Sequence, residues 1–307
     1  MNRRPKILFI VDVRNWAYDF RASKWKSLLE HEYDISILYL EDFSEKNEEP
    51  IFDQNDYDGI VFFYHRAATS TVLVSTPLDL NKVAICINNE KWRSDGAPYT
   101  YNKYFKGCKL LIGCNGAIIK AFSKYHNNIV RVSQVIDESL FFVDRKNITS
   151  SRSKKHFILG WCGNPDNPLK NIDWLNRACK ELNITLSIAD NLTQHNLNAW
   201  YNRIDAVACV SLQEGGPNMI LEAGACKIPV ITVPVGLSKE LIINNETGLT
   251  VPSCRLDKLI KQIKRLSGNR ILREKLANNL YKEVMENWTY TTRLYEIRNA
   301  LTELVKE

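Results

Sequence analysis

The chain has 307 residues, a length that predicts two domains or one large α/β domain. Hydrophobic residues make up 45% and charged residues 25%, which is typical of a globular protein with a buried core, and no apolar run reaches the roughly 18 residues of a membrane-spanning helix. The net charge of +6 fits a protein that handles anionic ligands or lies near anionic surfaces, but it does not single out nucleic acid, because no zinc-finger spacing or Lys/Arg-rich arm is present.

The cysteines and the first strand both favour a cytoplasmic protein. The eight cysteines are scattered, form no Cys-x-x-Cys pair and lie in part inside apolar runs, as reduced core residues do. The apolar run at residues 7–11 is too short for the core of a signal peptide, and Asp12 interrupts it. We therefore expect a cytoplasmic protein and leave open a peripheral contact with the inner face of a membrane.

Short apolar runs alternate with helical spacing through the first half of the chain. A loop rich in aromatic residues is expected at 14–20. Strands separated by helices predict a parallel, doubly wound sheet. The predicted strands are 6–12, 34–40, 57–64, 82–87, 109–113 and 129–132, and the predicted helices are 21–31 and 115–126.

A polar segment rich in Ser and Lys at residues 144–155 is predicted to be a linker, and the alternation restarts behind it. Two α/β halves predict a domain at 1–148 and another at 149–286, with two sheets facing a cleft and ligands beyond the carboxyl ends of the strands. The predicted strands are 156–161, 184–189, 205–210, 229–233 and 249–251, and the predicted helices are 169–182, 193–202, 218–227, 238–244 and 255 to the end, with breaks near 267–268 and 287–288.

The most informative stretch runs from Glu214 to Glu222 and reads Glu-Gly-Gly-Pro-Asn-Met-Ile-Leu-Glu. Gly215 and Gly216 let a backbone approach a ligand closely, and Pro217 suits the first turn of a helix. The N-terminus of that helix favours an anion such as phosphate. Two carboxylates beside a phosphate would be repelled unless they face hydroxyl groups, so the pattern fits a nucleotide sugar. The alternative is a capped surface helix with incidental acids.

The chain resembles the retaining GT-B glycosyltransferases of family 4, the glycosyl transferases group 1, over most of its length and most strongly from residue 205 to residue 251. The resemblance rests on the two acids separated by seven residues, on the flanking strands, and on Gly236, Glu240 and the Thr-Gly-Leu that begins at Thr247. It implies the GT-B architecture of two Rossmann-like domains, an N-terminal acceptor domain and a C-terminal nucleotide-sugar donor domain. It also implies a C-terminal helix, at 287–307, that crosses back to the N-terminal domain.

The resemblance implies roles for particular residues of the donor side. Glu214 would contact hydroxyls of the transferred sugar and Glu222 those of the ribose. Lys170 resembles the lysine that the family places on the diphosphate, although a solvated lysine at a helix start is the alternative. The usual arginine is missing, and Asn164 or a neighbouring amide stands in its place. The implied donor-binding residues are Gly163, Asn164, Lys170, Glu214, Gly215, Gly216, Pro217, Asn218, Met219 and Glu222.

On the acceptor side the chain departs from the family pattern. The family has a glycine pair after its first strand, where this chain has larger side chains, and a histidine after its fourth strand, where this chain has asparagines. Either an asparagine makes that contact or His65, at the end of the third strand, replaces the histidine; a His65 that only bonds locally is the alternative. The implied catalytic residues are Glu214, Lys170 and His65, and the implied acceptor-side residues are Arg14, Asn15, Trp16, His65, Asn88, Asn89 and Glu90.

The activity implied by the resemblance is sugar transfer, with retention at the anomeric carbon, from a nucleoside-diphosphate sugar to a hydroxyl acceptor. We expect a UDP- or GDP-sugar donor and a carbohydrate or lipid-linked glycan acceptor in surface polysaccharide synthesis. The resemblance also implies that no metal or other cofactor is required, because GT-B glycosyltransferases generally need none. Alternatives are a phage-type enzyme that glycosylates modified DNA bases, a non-catalytic nucleotide-sugar-binding protein, and a sugar-nucleotide epimerase of the same architecture.

Overall fold

The computed structural model describes residues 3–43, 52–65, 78–144, 156–252 and 255–306. The chain folds into two compact units, the first made of Met1–Ser133 together with Leu294–Glu307 and the second of Gln134–Arg293. The predicted domain boundary at residues 148 and 149 and the predicted linker, apart from its first residue, lie outside the described residues.

The first unit is built on a parallel six-stranded sheet, as the alternation predicts. The strands β3 and β4 at its centre are buried along their whole length, because both faces of a parallel sheet are covered. The strand order reverses between β1 and β3, so the loops that follow these two strands diverge and leave a crevice. The strands, in the spatial order β2-β1-β3-β4-β5-β6, are β1 (Lys6–Val11), β2 (Asp34–Tyr39), β3 (Gly59–Phe62), β4 (Val83–Ile87), β5 (Leu110–Gly113) and β6 (Ile129–Arg131).

Helices cover the first sheet, and one of them begins earlier than predicted. Helix α1 starts at Ala17, inside the segment that the sequence predicts to be a loop, so that prediction is wrong there. The carboxylate of Asp19 accepts a hydrogen bond from the backbone amide of Asn15 at 2.8 Å and another from the hydroxyl of Tyr39 at 2.9 Å, and it holds the first turn. The helices are α1 (Ala17–Leu29), α2 (Trp92–Asp95), α3 (Ala97–Thr100) and α4 (Gly116–Phe122); 3₁₀ turns lie at Leu40–Asp42, Gln54–Asp56 and Leu80–Lys82, and a π turn at Tyr101–Phe105.

The second unit is built on a parallel five-stranded sheet, again with every strand where an apolar run predicts one. Its order reverses between β9 and β7, which is therefore the second place in the chain where loops diverge beyond a sheet. The strands, in the spatial order β11-β10-β9-β7-β8, are β7 (Ile158–Cys162), β8 (Thr185–Ala189), β9 (Ala206–Cys209), β10 (Val230–Thr232) and β11 (Leu249–Thr250).

The helices of the second unit follow the predicted spacing with one shifted start. The predicted helix at 169–182 begins only at Ile172, because Pro168–Lys170 forms a 3₁₀ turn and Asn171 adopts a left-handed backbone with φ of 55°. None of the described helices is long and apolar enough to cross a membrane. The helices are α5 (Ile172–Leu182), α6 (Gln194–Tyr201), α7 (Asn218–Ala225), α8 (Ser238–Leu241), α9 (Leu256–Ser267), α10 (Arg270–Asn287) and α11 (Tyr290–Val305).

The C-terminal helix α11 carries the chain back into the first unit. Its backbone is non-helical at Arg293, the last residue of the second unit, and Leu294–Glu307 belong to the first. Leu304 is fully buried there. A Cβ at Gly59 would lie 2.8 Å from Cδ2 of Leu304, so the strand β3 accepts this leucine only because residue 59 has no side chain.

We expect Leu304→Ala to destabilise the first unit by about 2–5 kcal/mol, since it removes a buried side chain and leaves a cavity. Tyr295→Ala, on the same helix but 55% exposed, is the matched control and should change stability by about 0.5 kcal/mol or less. Urea unfolding of the full chain measures both. Equal midpoints for the two variants would show that Leu304 does not anchor this helix.

Candidate functional site

The candidate site lies at the reversal of strand order in the second sheet. The loop after β7 carries Lys170, and the loop after β9 carries Glu214. Ligands of doubly wound sheets bind beyond the carboxyl ends of the strands at such a reversal. The backbone amide of Leu212 donates to the carbonyl of Leu169 at 2.8 Å and ties the two loops together.

An ion pair joins the two charged residues of this site. Nζ of Lys170 lies 2.6 Å from Oε1 of Glu214, and both side chains are largely covered. Burial lowers the pKa of Lys170, but the charge and the hydrogen bond of Glu214 raise it by more, so the net pKa lies above its ordinary value. The amine therefore stays charged at neutral pH and can meet a phosphate.

The backbone behind Glu214 is held by a glycine on the neighbouring loop. Gly236 has a φ of +50°, and a Cβ there would lie 2.4 Å from the carbonyl oxygen of Gly215 and 2.5 Å from that of Glu214. The amide of Leu237 donates to the same carbonyl of Gly215 at 3.0 Å. Gly216 is packed as closely, since a Cβ there would lie 2.8 Å from Cβ of Gln134.

Helix α7 begins directly after this loop, at Asn218, as predicted. Pro217 is its N-cap residue and offers no capping side chain. First-turn amides of a helix point toward its N-terminus, so those of Asn218 and Met219 face the loop that carries Glu214. The side chain of Met219 is buried and that of Asn218 is half-buried. The helix end and the ammonium of Lys170 thus place two anion-binding features in one loop cluster.

The second acid of the motif lies in a different environment from the first. Glu222 is only 8% exposed, and its Oε2 accepts a hydrogen bond of 2.7 Å from the hydroxyl of Tyr201 on α6. Burial raises the pKa of Glu222 to about 7, although the hydrogen bond from Tyr201 lowers it. Glu214 and Glu222 therefore present one carboxylate paired with a lysine and one buried carboxyl that titrates near neutral pH.

The loop after β7 also contains the two remaining donor-side candidates. Gly163 has a φ of +147°, which side chains rarely permit, and its amide donates to the carbonyl of Ala189 at 3.0 Å. Asn164 is exposed, and its Oδ1 accepts from the amide of Asp166 at 2.8 Å. Asn164 thus caps its own turn, and its predicted contact with a diphosphate stays a prediction.

The acceptor-side candidates near β1 belong to the first unit. The guanidinium of Arg14 forms ion pairs with Glu41 at 3.0 Å and Asp42 at 2.5 Å. The Arg14 hydrogen bond holds the pKa of Asp42 below its usual value. Asn15 has a φ of 60°, which turns the chain into α1, and Trp16 is 63% exposed. All three predicted residues are exposed, and Trp16 presents a large aromatic surface.

Residues after β3 and β4 divide into two groups. His65 is buried against the rings of Tyr104 and Phe105 and lines a small pocket that Asn89 also lines. The structure therefore brings together His65 and Asn89, the two residue types that the sequence offers in place of the family's histidine.

Asn88 and Glu90 instead bond within the first unit. The side chain of Asn88 donates to the carbonyl of Phe63 at 2.9 Å and accepts from Arg21 at 2.5 Å. Glu90 is buried, pairs with Arg93 and accepts from another asparagine of the core. Both side chains bond to neighbouring residues at the carboxyl end of β4, and their predicted acceptor contacts stay predictions.

Sequence reasoning missed Tyr201, the partner of Glu222. It occupies the apolar face of a predicted helix, where the pattern predicts only a buried core residue. The one signal was its hydroxyl, which needs a hydrogen-bond partner when buried. The cysteines lie as predicted where the structure describes them: Cys86, Cys108, Cys114, Cys179, Cys209 and Cys226 are buried and free, Cys162 is half-buried and free, and Cys254 lies outside the described residues.

No group of three or more His, Cys, Asp or Glu side chains that could hold a metal ion occurs in the described part of the chain.

At the level of sequence, known proteins match only part of the chain. Residues 162–283, which include the whole candidate donor site, match the family described as glycosyl transferases group 1. The capsular polysaccharide biosynthesis glycosyltransferase CapM of Staphylococcus aureus is 27% identical over 109 residues. That match covers 36% of this chain and only 29% of CapM.

Solved structures match almost the entire chain. Sucrose-phosphate synthase from Thermosynechococcus elongatus aligns with a TM-score of 0.76 at 11% identity, over 98% of this chain and 99% of that one. Anabaena Alr3699/HepE in complex with UDP-glucose aligns with a TM-score of 0.72 at 15% identity, over 97% and 100%. At these identities the likeness shows the fold, which is GT-B with two Rossmann-like domains.

We expect Gly236→Ala to disturb the loop that carries Glu214. The left-handed backbone and the contact with two carbonyl oxygens together should cost about 1–4 kcal/mol. Gly268→Ala is the control, because its Cβ would meet nothing closer than 3.4 Å. Thermal unfolding compares the two. A fully stable Gly236→Ala would show that this loop can shift freely.

Glu222→Gln should alter how stability depends on pH. Because the folded pKa of about 7 exceeds the ordinary 4.5, the folded state keeps a proton that the unfolded state loses between these values. The free energy of unfolding of the wild type therefore falls as pH rises through this window, by on the order of 3 kcal/mol from this group. The variant lacks this loss and should gain on the wild type from pH 4.5 to pH 7.

Urea unfolding at several pH values measures that difference. Glu246→Gln replaces an exposed acid of the same unit and should track the wild type at every pH. A constant difference between Glu222→Gln and the wild type would contradict the raised pKa.

Proposed function

Because residues 162–283 belong to the glycosyl transferases group 1 family and the chain has the GT-B fold, we propose that the protein transfers a sugar from a nucleoside-diphosphate sugar to a hydroxyl acceptor. The observation that carries the proposal is the Lys170–Glu214 pair beside the N-terminus of α7. A lysine and a helix N-terminus both favour a diphosphate, and a carboxylate accepts hydrogen bonds from sugar hydroxyls.

In the proposed mechanism, binding of the donor breaks the ion pair between Lys170 and Glu214. The ammonium binds the diphosphate, and the released carboxylate of Glu214 accepts from a hydroxyl of the sugar. As the bond between the anomeric carbon and the diphosphate oxygen breaks, negative charge grows on the leaving group. Lys170 and the first-turn amides of α7 stabilise that charge, which is the main electrostatic contribution expected of the protein.

We propose retention of configuration at the anomeric carbon. The acceptor oxygen bonds to that carbon on the face from which the diphosphate leaves, and the acceptor proton passes to a phosphate oxygen. This route needs no nucleophile from the protein. It requires orientation and charge neutralisation, which we assign to Lys170, Glu214 and the N-terminus of α7.

The donor base and the acceptor are proposed from the relatives. HepE is described in complex with UDP-glucose, and CapM as an enzyme of capsular polysaccharide biosynthesis. We propose a UDP-sugar donor, with a GDP-sugar as the second to test, and a carbohydrate or lipid-linked glycan acceptor met in the cytoplasm. Trp16, His65 and Asn89 are the proposed acceptor-side residues, since Arg14, Asn88 and Glu90 are occupied within the first unit. None of these relatives supports DNA as the acceptor.

We expect Lys170→Ala and Glu214→Ala each to lower sugar transfer by about 100-fold or more, because each removes a charged side chain that contacts the diphosphate or the sugar in the proposed mechanism. Lys180→Ala, which replaces an exposed lysine at the end of α5, is the control and should leave transfer unchanged. The assay measures release of nucleoside diphosphate from UDP- and GDP-sugars, with and without glycan acceptors, and NMR of the product reports its anomeric configuration.

Near-normal turnover in both variants would contradict the assigned site, and inversion would contradict the proposed route. Donor binding without hydrolysis or transfer would favour the non-catalytic alternative.

A further inference from the structure

The hydroxyl of Tyr201 is enclosed inside the second unit. Its side chain is fully buried, and the ring packs edge-on against Phe141 and Trp200, with centroid distances of 6.2 Å and 4.9 Å. The hydroxyl donates to Oε2 of Glu222 at 2.7 Å. This bond orients one oxygen of Glu222 toward the hydroxyl of Tyr201.

A tyrosine here has a cost that phenylalanine would not have. A buried hydroxyl must regain in the protein the hydrogen bond that it gives up in water. Phenylalanine would fill the same space against Phe141 and Trp200 without that requirement. The hydroxyl is therefore explained by its polar partners, the carboxylate of Glu222 and the thiol of Cys162, rather than by packing.

The pair adjoins the candidate donor site. The hydroxyl of Tyr201 is also hydrogen-bonded to the thiol of Cys162, at the end of β7, and this thiol interacts electrostatically with Glu222 and with Lys170. The pair therefore lies near the loop that carries Lys170. The titratable groups that face Glu222 are Tyr201 on α6, Cys162, and Cys226 behind α7. Burial raises the pKa of both thiols, to about 12 for Cys162, and they remain neutral where Glu222 titrates.

We infer that Tyr201 is a positioning residue of the donor site, whose hydroxyl holds one oxygen of Glu222 so that the carboxylate meets a vicinal diol of the nucleotide. The inference rests on the proposed function, which supplies the nucleotide sugar. Two adjacent hydroxyls can share a carboxylate, and such bonds to a charged acceptor are stronger than neutral ones. A carboxylate that is free to rotate beside the sheet would lose part of this advantage.

The test compares Tyr201→Phe with the wild type, using calorimetric binding of UDP-glucose and of its 2′,3′-dideoxyribose analogue. We expect the variant to bind UDP-glucose about tenfold more weakly and to bind the dideoxy analogue as the wild type does, because the lost contact involves the diol alone. Glu222→Asp should show the same pattern, since its shorter side chain does not reach the hydroxyl of Tyr201. Adding Tyr201→Phe to Glu222→Asp should then have little further effect.

A pH series adds a readout that packing does not move. The Tyr201 hydrogen bond lowers the pKa of Glu222, so its removal should shift the midpoint of diol-dependent binding to higher pH, by roughly one unit. Tyr33→Phe is the matched control. It removes a comparable bond, 2.9 Å to Thr302, from a buried tyrosine of the first unit and should leave nucleotide binding unchanged.

The outcomes separate the two levels of the proposal. If the wild type binds UDP-glucose and Tyr201→Phe binds it equally well at every pH, the hydroxyl serves stability only and the inference is overturned, while the proposed function stands. If Tyr201→Phe weakens UDP-glucose and the dideoxy analogue alike, the effect is not on the diol and the inference is again overturned. If the wild type binds neither UDP-glucose nor GDP-glucose, the proposed function itself fails.

Discussion

The ion pair between Lys170 and Glu214 is the interaction on which the candidate site depends. It forms because β7 and β9 are neighbours at the reversal of strand order, so the loops that follow them meet. The pair keeps a lysine charged in a largely covered position, where an unpaired ammonium would tend to lose its proton. Gly236 packs closely against the backbone carbonyls of Glu214 and Gly215, so the backbone that carries the Glu214 side chain is held from behind.

The two acids of the motif have different positions and different partners. Glu214 precedes α7 and meets a cation, whereas Glu222 lies one turn inside the helix and meets a hydroxyl. A buried carboxyl is costly unless it is hydrogen-bonded, and strongly shifted pKa values concentrate at functional sites. The cost of burying Glu222 is therefore consistent with a role in binding, since an apolar residue at this position would pack without it.

Much of the fold could be predicted because it depends on local patterns. Apolar runs marked the strands of both sheets, and Pro217 marked the start of α7. The start of α1 was missed because Asp19 reaches both Asn15 and Tyr39, contacts that no local pattern reveals. The motif pointed to the two acids and the lysine of the candidate site, whose roles stay predictions. The bond of Glu222 to Tyr201 depends on how α6 packs against α7, which spacing does not determine.

The reversal of strand order also distinguishes among the acceptor-side residues. In the first sheet it lies between β1 and β3, so Trp16 and His65 follow the two strands that flank the crevice. Asn89 follows β4, one strand farther along, and joins His65 through the pocket that both line. The arginine at position 14 is drawn away to the acids after β2. The ring of Trp16 is 63% exposed beside this crevice, so it offers a large apolar surface to a ligand there.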